Sequence, residues 1–209
     1  STRNVAFATG YYDHPNVLGV PGEDRAHVSH YYTEAHGYYR QQVVIVGGKN
    51  SAAIAALELY RAGASVTLVH RRPQLSDSIK YWIRPDIENR IKEGSVAARF
   101  DTRVTEIGAR HVVLSSAAGR EEMAADHVFL LTGYQPDTRL LAQAGVRIDP
   151  ATLVPDHDPA TLETNVPGLF LAGALVSGKQ TSRIFIENGR FHGEAIVGAI
   201  TGRVLTARG

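Results

Sequence analysis

Two adjacent glycines, Gly47 and Gly48, end an apolar β-branched run and are followed by Asn50 and Ser51 at the start of a helical pattern. A turn of this kind exposes the backbone N–H groups of a helix N-terminus, and these groups bind phosphate oxygens. In the pattern GxGxxG/A, Gly47 takes the first glycine position and Ala52 takes the third. The spacing therefore predicts that Gly47, Gly48, Asn50 and Ser51 line the pyrophosphate of a dinucleotide.

Lys49 occupies the second position of this pattern, where glycine normally lets the ligand come close to the backbone. Its ammonium group either turns outward or lies along the phosphates, and the sequence leaves both arrangements open. Alternatively, the glycines only shape a tight strand-to-helix turn in a fold that binds no nucleotide. The strand before the turn, the helix after it and a second strand at the expected distance favour the nucleotide site.

The choice of nucleotide is expected to depend on His70, Arg71 and Arg72, which end the next predicted strand. Enzymes that use NAD place an acidic residue at this point, whereas arginine forms charge-assisted hydrogen bonds with the 2′-phosphate of NADP. The sequence therefore predicts NADPH rather than NADH, and two solvated arginines are the alternative. Lys80, Tyr81 and Trp82 follow: either Lys80 adds charge to the phosphate pocket and Trp82 borders the nicotinamide, or the two aromatic side chains pack this helical segment onto the sheet.

Other kinds of reactive site are missing from the sequence. The chain contains no cysteine, which excludes disulfides, thiolate zinc sites and a dithiol redox centre within its 209 residues. The nine histidines, including His30, His36 and His192, lack metal-ligand spacing, so we assign them structural roles and predict no metal site. No side chain is identified as a catalytic acid, base or nucleophile.

Composition narrows the range of partners. The 22 basic and 21 acidic residues are interspersed and give a net charge of +1, so no basic face for nucleic acid or anionic lipid is expected. The apolar stretches are shorter than the roughly 20 residues of a spanning helix, and no N-terminal signal pattern is visible. We therefore expect a cytoplasmic protein whose partners are small molecules or other proteins.

The elements that must position these residues form a regular series. The glycine turn joins a strand to a helix that should end at Gly63, and a second strand follows, which together make a right-handed βαβ unit with a parallel sheet. A helical segment interrupted by Pro85 comes next, and short strands between Ser95 and Asp126 suit an antiparallel meander. The strings ATGYYDHP and LTGYQPD echo each other, which suggests two similar dinucleotide domains, one inserted into the other.

These motifs together resemble the low-molecular-weight thioredoxin reductase group of flavoproteins. Within that group, the chain resembles the bacillithiol-disulfide reductase family in the strings SHYYTEAH, GGKNSA, SIKYWIRPDIENRI, LLTGYQPD and IFIENGRFHG. The resemblance covers nearly the whole chain. It implies an α/β fold in which a Rossmann-like three-layer NADPH-binding domain, residues 41–136, is inserted into a partial FAD-binding domain made of residues 1–40 and 137–209.

The resemblance also implies further cofactor residues. It assigns Thr9, Gly10 and Gly173 to FAD and Gly133 to NADPH. Thioredoxin reductases usually carry an acid after the glycine that matches Gly173, and here that position is Ala174, which removes one expected contact to the flavin. The first FAD unit of the family is expected before residue 1, so the FAD site would be incomplete in this chain and the chain alone would be inactive.

The implied activity is hydride transfer from NADPH to flavin and onward to a low-molecular-weight disulfide such as bacillithiol disulfide, or to a redox protein. The absence of a CxxC motif argues against thioredoxin reductase activity. A ferredoxin or flavodoxin NADP reductase is one alternative, because it uses the same scaffold without that motif. A nucleotide-binding sensor module without turnover is another. Assembly as a homodimer is left open.

Overall fold

The computed structural model describes residues 1–181 and 183–206, which form a mixed α/β fold, as expected. They divide into two compact units, each with its own core. The central unit is residues 17–132, and the flanking unit is residues 1–16 together with the described chain from Gly133 onward. The sequence of the central unit therefore interrupts that of the flanking unit.

The strands and helices are short and follow the predicted order closely. The strands are β1 (Val5–Phe7), β2 (Val28–Ser29), β3 (Gln42–Val46), β4 (Ser65–Val69), β5 (Ala97–Arg99), β6 (Arg103–Ile107), β7 (His111–Ser116), β8 (Gly119–Ala124), β9 (His127–Leu130) and β10 (Leu169–Leu171). The helices are α1 (Asn50–Arg61), α2 (Arg84–Lys92), α3 (Arg139–Gln143), α4 (Ile186–Gly189) and α5 (His192–Thr206). Short 3-10 helices span His36–Tyr38 and Gly173–Ser177.

The central unit is built in three layers around a five-stranded parallel sheet in the order β2-β9-β3-β4-β5. Side chains alternate between the two faces of β3, so Val43 and Ile45 join the core with α1 and α2, whereas Val44 joins the opposite core. That second core also contains apolar residues of the antiparallel sheet β6-β7-β8. The predicted βαβ unit and meander are therefore both present, although β5 belongs to the parallel sheet.

Helix α1 begins directly after the glycine turn and ends where the sequence indicated. Its buried face carries small residues, among them Ala52 and Ala56, which let the helix pack closely on the sheet. Gly63 stops the helix in a left-handed conformation, φ +86°, and the N–H of Ala64 bonds the carbonyl of Leu59 at 3.0 Å. Pro85 lies in the first turn of α2, where a proline is tolerated because no intrahelical N–H bond is lost.

The observed units divide the chain at residues 16 and 132 rather than at the expected boundaries of 40 and 136. Residues 17–40 join the central unit because β2 pairs in parallel with β9 and forms the edge of its five-stranded sheet. Gly133 to Gln135 join the flanking unit because they pair with residues 14–16. The N–H of Asn16 bonds the carbonyl of Gly133 at 2.9 Å, and that of Gln135 bonds the carbonyl of His14 at 2.9 Å.

The flanking unit contains a two-stranded parallel sheet, in which β1 pairs with β10. Buried Leu141, Leu171 and Leu175 form the centre of its core. Throughout residues 1–181 and 183–206, no helix combines the length and apolar character needed to cross a bilayer. Nor does any group of three His, Asp or Glu side chains in that part of the chain converge as metal ligands would.

Candidate functional site

Three strands of the central unit end side by side at one edge of its sheet. Val46, the last residue of β3, pairs with Val69 of β4 and with Leu130 of β9. The residues that follow these strands, including Gly47 and His70, therefore meet at the carboxyl edge of the sheet. In parallel α/β sheets this edge is where ligands bind.

Gly47 has no room for a side chain. A β-carbon there would lie 2.7 Å from the carbonyl oxygen of Leu131 and 2.8 Å from the β-carbon of Ala52. The first and third positions of the glycine pattern therefore touch each other, so that helix α1 packs directly against the end of β3. Close packing of helix on strand is what those two positions of the pattern require.

Gly48 is equally enclosed, by the ring of His70 on one side and by a loop on the other. A β-carbon at Gly48 would lie 2.3 Å from Cε1 of His70. The carbonyl of Gly48 accepts a hydrogen bond from the N–H of Ser76 at 2.9 Å. The glycine turn is thus packed against both the end of β4 and the loop that follows it.

The N-terminus of α1 is not capped by a side chain. Lys49 is the N-cap residue in an extended conformation, φ −118°, and its own side chain is exposed. The first helical bond runs from the N–H of Ala53 to the carbonyl of Lys49 at 3.1 Å. The N–H groups of Asn50 and Ser51 precede that bond and have no intrahelical acceptor, which is the arrangement that binds anions. The side chain of Lys49 is exposed beside this N-terminus, and both arrangements of its ammonium group relative to a bound phosphate stay predictions.

The side chain of Asn50 forms its hydrogen bonds with the loop that follows β4 and not with the glycine turn. Its Nδ2 donates to the carbonyl of Ser78 at 3.1 Å, and its Oδ1 accepts from the N–H of Lys80 at 2.9 Å. Ser51 is exposed in the first turn of α1. The structure therefore brings Gly47, Gly48 and Ser51 together at the turn, whereas Asn50 presents only its backbone there.

Arg71 and Arg72 extend from the end of β4 into solvent. Both side chains are exposed, and none of the ion pairs found within residues 1–181 and 183–206 involves either guanidinium group. The backbone beneath them is fixed, because the carbonyl of Arg72 accepts from the N–H of Asp101 at 3.1 Å. Two positive charges are therefore held at the edge of the sheet with their hydrogen-bonding capacity unused.

His70 is half-buried beside these arginines and is held in its neutral form. Burial lowers the pKa of its imidazole, the guanidinium groups of Arg71 and Arg72 lower it further, and Asp101 opposes the shift. Its Nε2 atom is buried without a hydrogen-bond partner among the described residues. The sequence placed His70 with the arginines, but its contact with Gly48 could not be read from the pattern.

The exposed segment Lys80, Tyr81 and Trp82 follows on the same loop. The ammonium of Lys80 lies over the ring of Trp82, 5.0 Å from its centroid. Tyr81 and Trp82 are 82% and 60% exposed, so the interpretation that these aromatic residues pack a helix onto the sheet is wrong. The loop instead leaves a cation and two aromatic rings on the surface.

The flanking unit has its own pair of open glycine turns at the carboxyl edge of β1 and β10. Phe7 pairs with Leu171 in these strands, and the residues that follow lead into Gly10, φ +67°, and Gly173, φ +71°. A β-carbon at either glycine would meet no described atom within 4 Å, although the left-handed backbone still favours glycine. Exposed Thr9 precedes the first of these turns.

His192 is a residue of this region that the sequence did not single out for a site. The N–H of Gly173 donates to Nδ1 of His192 at 3.0 Å, which fixes the neutral tautomer with its proton on Nε2. Burial lowers the pKa of His192, and His157 lowers it further. Only the three-dimensional fold brings these positions together, since 19 residues separate them in sequence.

Gly133, which was assigned to the NADPH site, lies in the flanking unit. Its backbone is left-handed, φ +90°, and a β-carbon would lie 3.3 Å from the side-chain amide of Asn16. Its carbonyl accepts from the N–H of Asn16, as described above. Gly133 therefore shapes the point where the chain leaves the central unit, and its contact with a nucleotide stays a prediction.

Comparison with known proteins identifies the family. Residues 1–173 match the family model described as pyridine nucleotide-disulphide oxidoreductase. The chain is 47% identical over 206 residues to bacilliredoxin reductase Bdr of Bacillus subtilis. The aligned region covers 97% of the chain and 63% of that protein. The solved structure of bacillithiol disulfide reductase Bdr (YpdA) from Bacillus cereus is similar to this chain, with 42% sequence identity and a TM-score of 0.93. The match covers 96% of this chain and 62% of the Bacillus cereus chain.

A ferredoxin–NADP reductase of Ignicoccus hospitalis is less similar, with 29% identity over 178 residues, 82% of the chain and 55% of that protein. The chain thus spans less than two thirds of the length of each of these relatives. The resemblance to bacillithiol-disulfide reductases expected from the motifs is confirmed. The chain belongs to the pyridine nucleotide-disulphide oxidoreductase family.

Proposed function

We propose that this chain is part of an FAD-dependent oxidoreductase in which a hydride passes from NADPH to the flavin and electrons continue to a low-molecular-weight disulfide such as bacillithiol disulfide. The observation that carries the proposal is the pair of exposed guanidinium groups, Arg71 and Arg72, beside an uncapped helix N-terminus. An adenine nucleotide with a 2′-phosphate presents anionic groups suited to both features.

The central unit supplies the residues that would hold NADPH. Gly47 and Gly48 remove side chains where the pyrophosphate would approach, and the N–H groups of Asn50 and Ser51 would donate to it. Arg71 and Arg72 would bind the 2′-phosphate, which carries more charge than the ribose hydroxyl of NADH. Neutral His70 would add no charge of its own, and its ring would hold the glycine turn in place by packing against Gly48.

The flanking unit supplies the residues proposed for FAD. Gly10 and Gly173 leave open space beside the carboxyl ends of β1 and β10, where a flavin could lie against bare backbone, and Thr9 adds a hydroxyl. Bound there, the flavin would supply the two-electron chemistry, and the protein would supply position and electrostatics. The chain offers no cysteine for a dithiol relay, which favours a route that does not depend on one within these residues.

The acceptor is proposed from the relatives. The relative of Bacillus subtilis is named a bacilliredoxin reductase, and that of Bacillus cereus a bacillithiol disulfide reductase. Both share more identity with this chain than the ferredoxin–NADP reductase does. The disulfide acceptor is therefore the primary proposal, and ferredoxin is the alternative.

The nucleotide part of the proposal is tested by calorimetric titration of the 209-residue chain with NADPH and with NADH. We expect NADPH to bind about tenfold or more tightly, because each charge-assisted hydrogen bond contributes about 1.5–3 kcal/mol. Replacing both arginines, in Arg71→Ala/Arg72→Ala, should remove the difference while NADH binding changes little. Equal affinities in the unmodified chain would refute the preference.

The acceptor is tested with the protein expressed from the whole reading frame that contains this chain. NADPH oxidation is followed with bacillithiol disulfide, with ferredoxin and with neither. Turnover only with the disulfide supports the proposal, and turnover only with ferredoxin replaces it by the alternative. A protein that binds NADPH but turns over with no acceptor would act as a sensor module instead.

A further inference from the structure

The loop between β4 and α2, residues 70–83, is attached to the glycine turn at several points. At its start, His70 packs against the α-carbon side of Gly48. In its middle, the N–H of Ser76 donates to the carbonyl of Gly48 at 2.9 Å. The guanidinium of Arg84, in the first turn of α2, donates to the carbonyl of Ser76 at 2.8 Å. The loop is therefore folded back over the N-terminus of α1.

The final attachment is made by Asn50 alone. Its amide donates to the carbonyl of Ser78 and accepts from the N–H of Lys80, at 3.1 and 2.9 Å. Both polar groups of one side chain are thus used on the backbone of the segment that carries Lys80. An aspartate could accept from Lys80 but could not donate to Ser78, and alanine could do neither.

Three cations of this loop are unpaired among the described residues, whereas Asp77 in its middle pairs with Arg84. Arg71, Arg72 and Lys80 are exposed, and among the described residues none of them forms an ion pair. The backbone at Arg72 is fixed by Asp101, and the backbone at Lys80 is fixed by Asn50. The backbone from Arg72 to Lys80 is therefore held at both ends, by Asp101 after β5 and by Asn50 at the start of α1.

We infer that Asn50 is a positioning residue for nucleotide selectivity: its side chain latches the Ser78–Lys80 segment and holds the cationic loop against the glycine turn, rather than binding the pyrophosphate. The inference rests on the proposed binding of NADPH and assigns Lys80 as a third cation for its 2′-phosphate. A direct pyrophosphate ligand would serve NADPH and NADH alike, because both contain that group. A latch that places the cations would serve NADPH alone.

The test compares Asn50→Ala with Asn89→Ala, a matched change at an exposed amide of α2. Calorimetry of the chain should show the Kd for NADPH rising about five- to tenfold in Asn50→Ala, as expected for the loss of two hydrogen bonds that hold a loop, with the Kd for NADH changed less than about twofold. Asn89→Ala should leave both values unchanged. In an Arg71→Ala/Arg72→Ala/Lys80→Ala background, Asn50→Ala should have no further effect on the ratio of the two affinities.

A second measurement separates the latch from the nucleotide. Amide hydrogen exchange of Lys80, measured by NMR on the chain alone, should be faster in Asn50→Ala and unchanged in Asn89→Ala. Equal losses of NADPH and NADH affinity would overturn the inference in favour of a pyrophosphate contact, and unchanged affinities would overturn it outright. A parent chain that binds neither nucleotide would defeat the proposed function together with the selectivity role, whereas unchanged exchange at Lys80 would defeat the latch alone.

Discussion

The imidazole of His70 covers Gly48 so closely that a β-carbon at position 48 would lie 2.3 Å from its Cε1 atom. We expect Gly48→Ala to displace the ring, lower the free energy of unfolding by roughly 1–3 kcal/mol, as overpacking usually does, and weaken NADPH binding. Urea denaturation and nucleotide titration measure the two effects. The control is Gly37→Ala, whose added methyl group would meet no described atom within 4 Å and should change stability by less than about 0.5 kcal/mol. A fully stable Gly48→Ala chain with unchanged affinity would contradict this account.

Salt should weaken NADPH binding more than NADH binding. Arg71 and Arg72 are exposed, so their attraction for the 2′-phosphate is screened, and the Debye length falls from about 30 Å at 0.01 M to about 10 Å at 0.1 M salt. Titrations at a series of salt concentrations should therefore give a steeper slope of log Kd for NADPH. The difference in slope should vanish in Arg71→Ala/Arg72→Ala. Identical slopes in the parent chain would argue against a charge-based preference.

Stability should fall in mild acid because His127 is held neutral in the folded chain. Its ring lies edge-on to Tyr38, 4.8 Å between centroids, and burial lowers its pKa, as does the neighbouring His27. The unfolded chain, with a histidine pKa of about 6.5, then binds more protons, so the free energy of unfolding declines as the pH falls from about 6.5 toward the folded pKa.

Denaturant unfolding between about pH 7.5 and pH 5 measures this decline. His127→Gln should flatten it, because the variant has no proton to take up at that position. Asn89→Ala, a change at an exposed side chain that does not titrate, should leave the slope as it is. An unaltered slope in His127→Gln would show that the acid sensitivity arises elsewhere.

The bond between Gly173 and His192 should open on protonation. Nδ1 of His192 accepts from the N–H of Gly173, and a doubly protonated imidazole has no acceptor nitrogen left. We expect the amide resonance of Gly173 to titrate together with the His192 ring, at a pH below the usual histidine value because burial lowers that pKa. In His192→Ala the resonance should lose this pH dependence. A Gly173 amide that is insensitive to pH in the parent chain would rule out the coupling.

Much of the central unit could be predicted because its residues act locally. The β-branched strand, Gly47 and the alanine-rich helix each favour one conformation within a few residues, and Gly63 stops the helix where no other residue fits as well. The meander of β6, β7 and β8 follows from alternating residues and tight turns. These features do not depend on distant parts of the chain.

The features that could not be predicted involve contacts between segments far apart in sequence. β2 has two residues, too few for any periodic pattern, and long-range contacts such as its pairing with β9 and the bond from Arg25 to the carbonyl of Ile107 place residues 17–40 in the central unit. Asn50 was expected to line the pyrophosphate because it follows the glycines, but no local pattern indicates that its side chain bonds backbone groups 28 and 30 residues away. Tyr81 and Trp82 looked like core residues because aromatic side chains usually bury their surface, yet the attached loop holds them outside.

Trp82 is the only tryptophan in the chain. Its ring is exposed and packs beside Lys80, directly after the Ser78–Lys80 segment to which Asn50 is hydrogen-bonded. Its intrinsic fluorescence therefore arises from a single position on the loop proposed to recognise the 2′-phosphate. The emission of this one indole can follow the loop as it tightens or loosens, in the unlabelled chain and in real time.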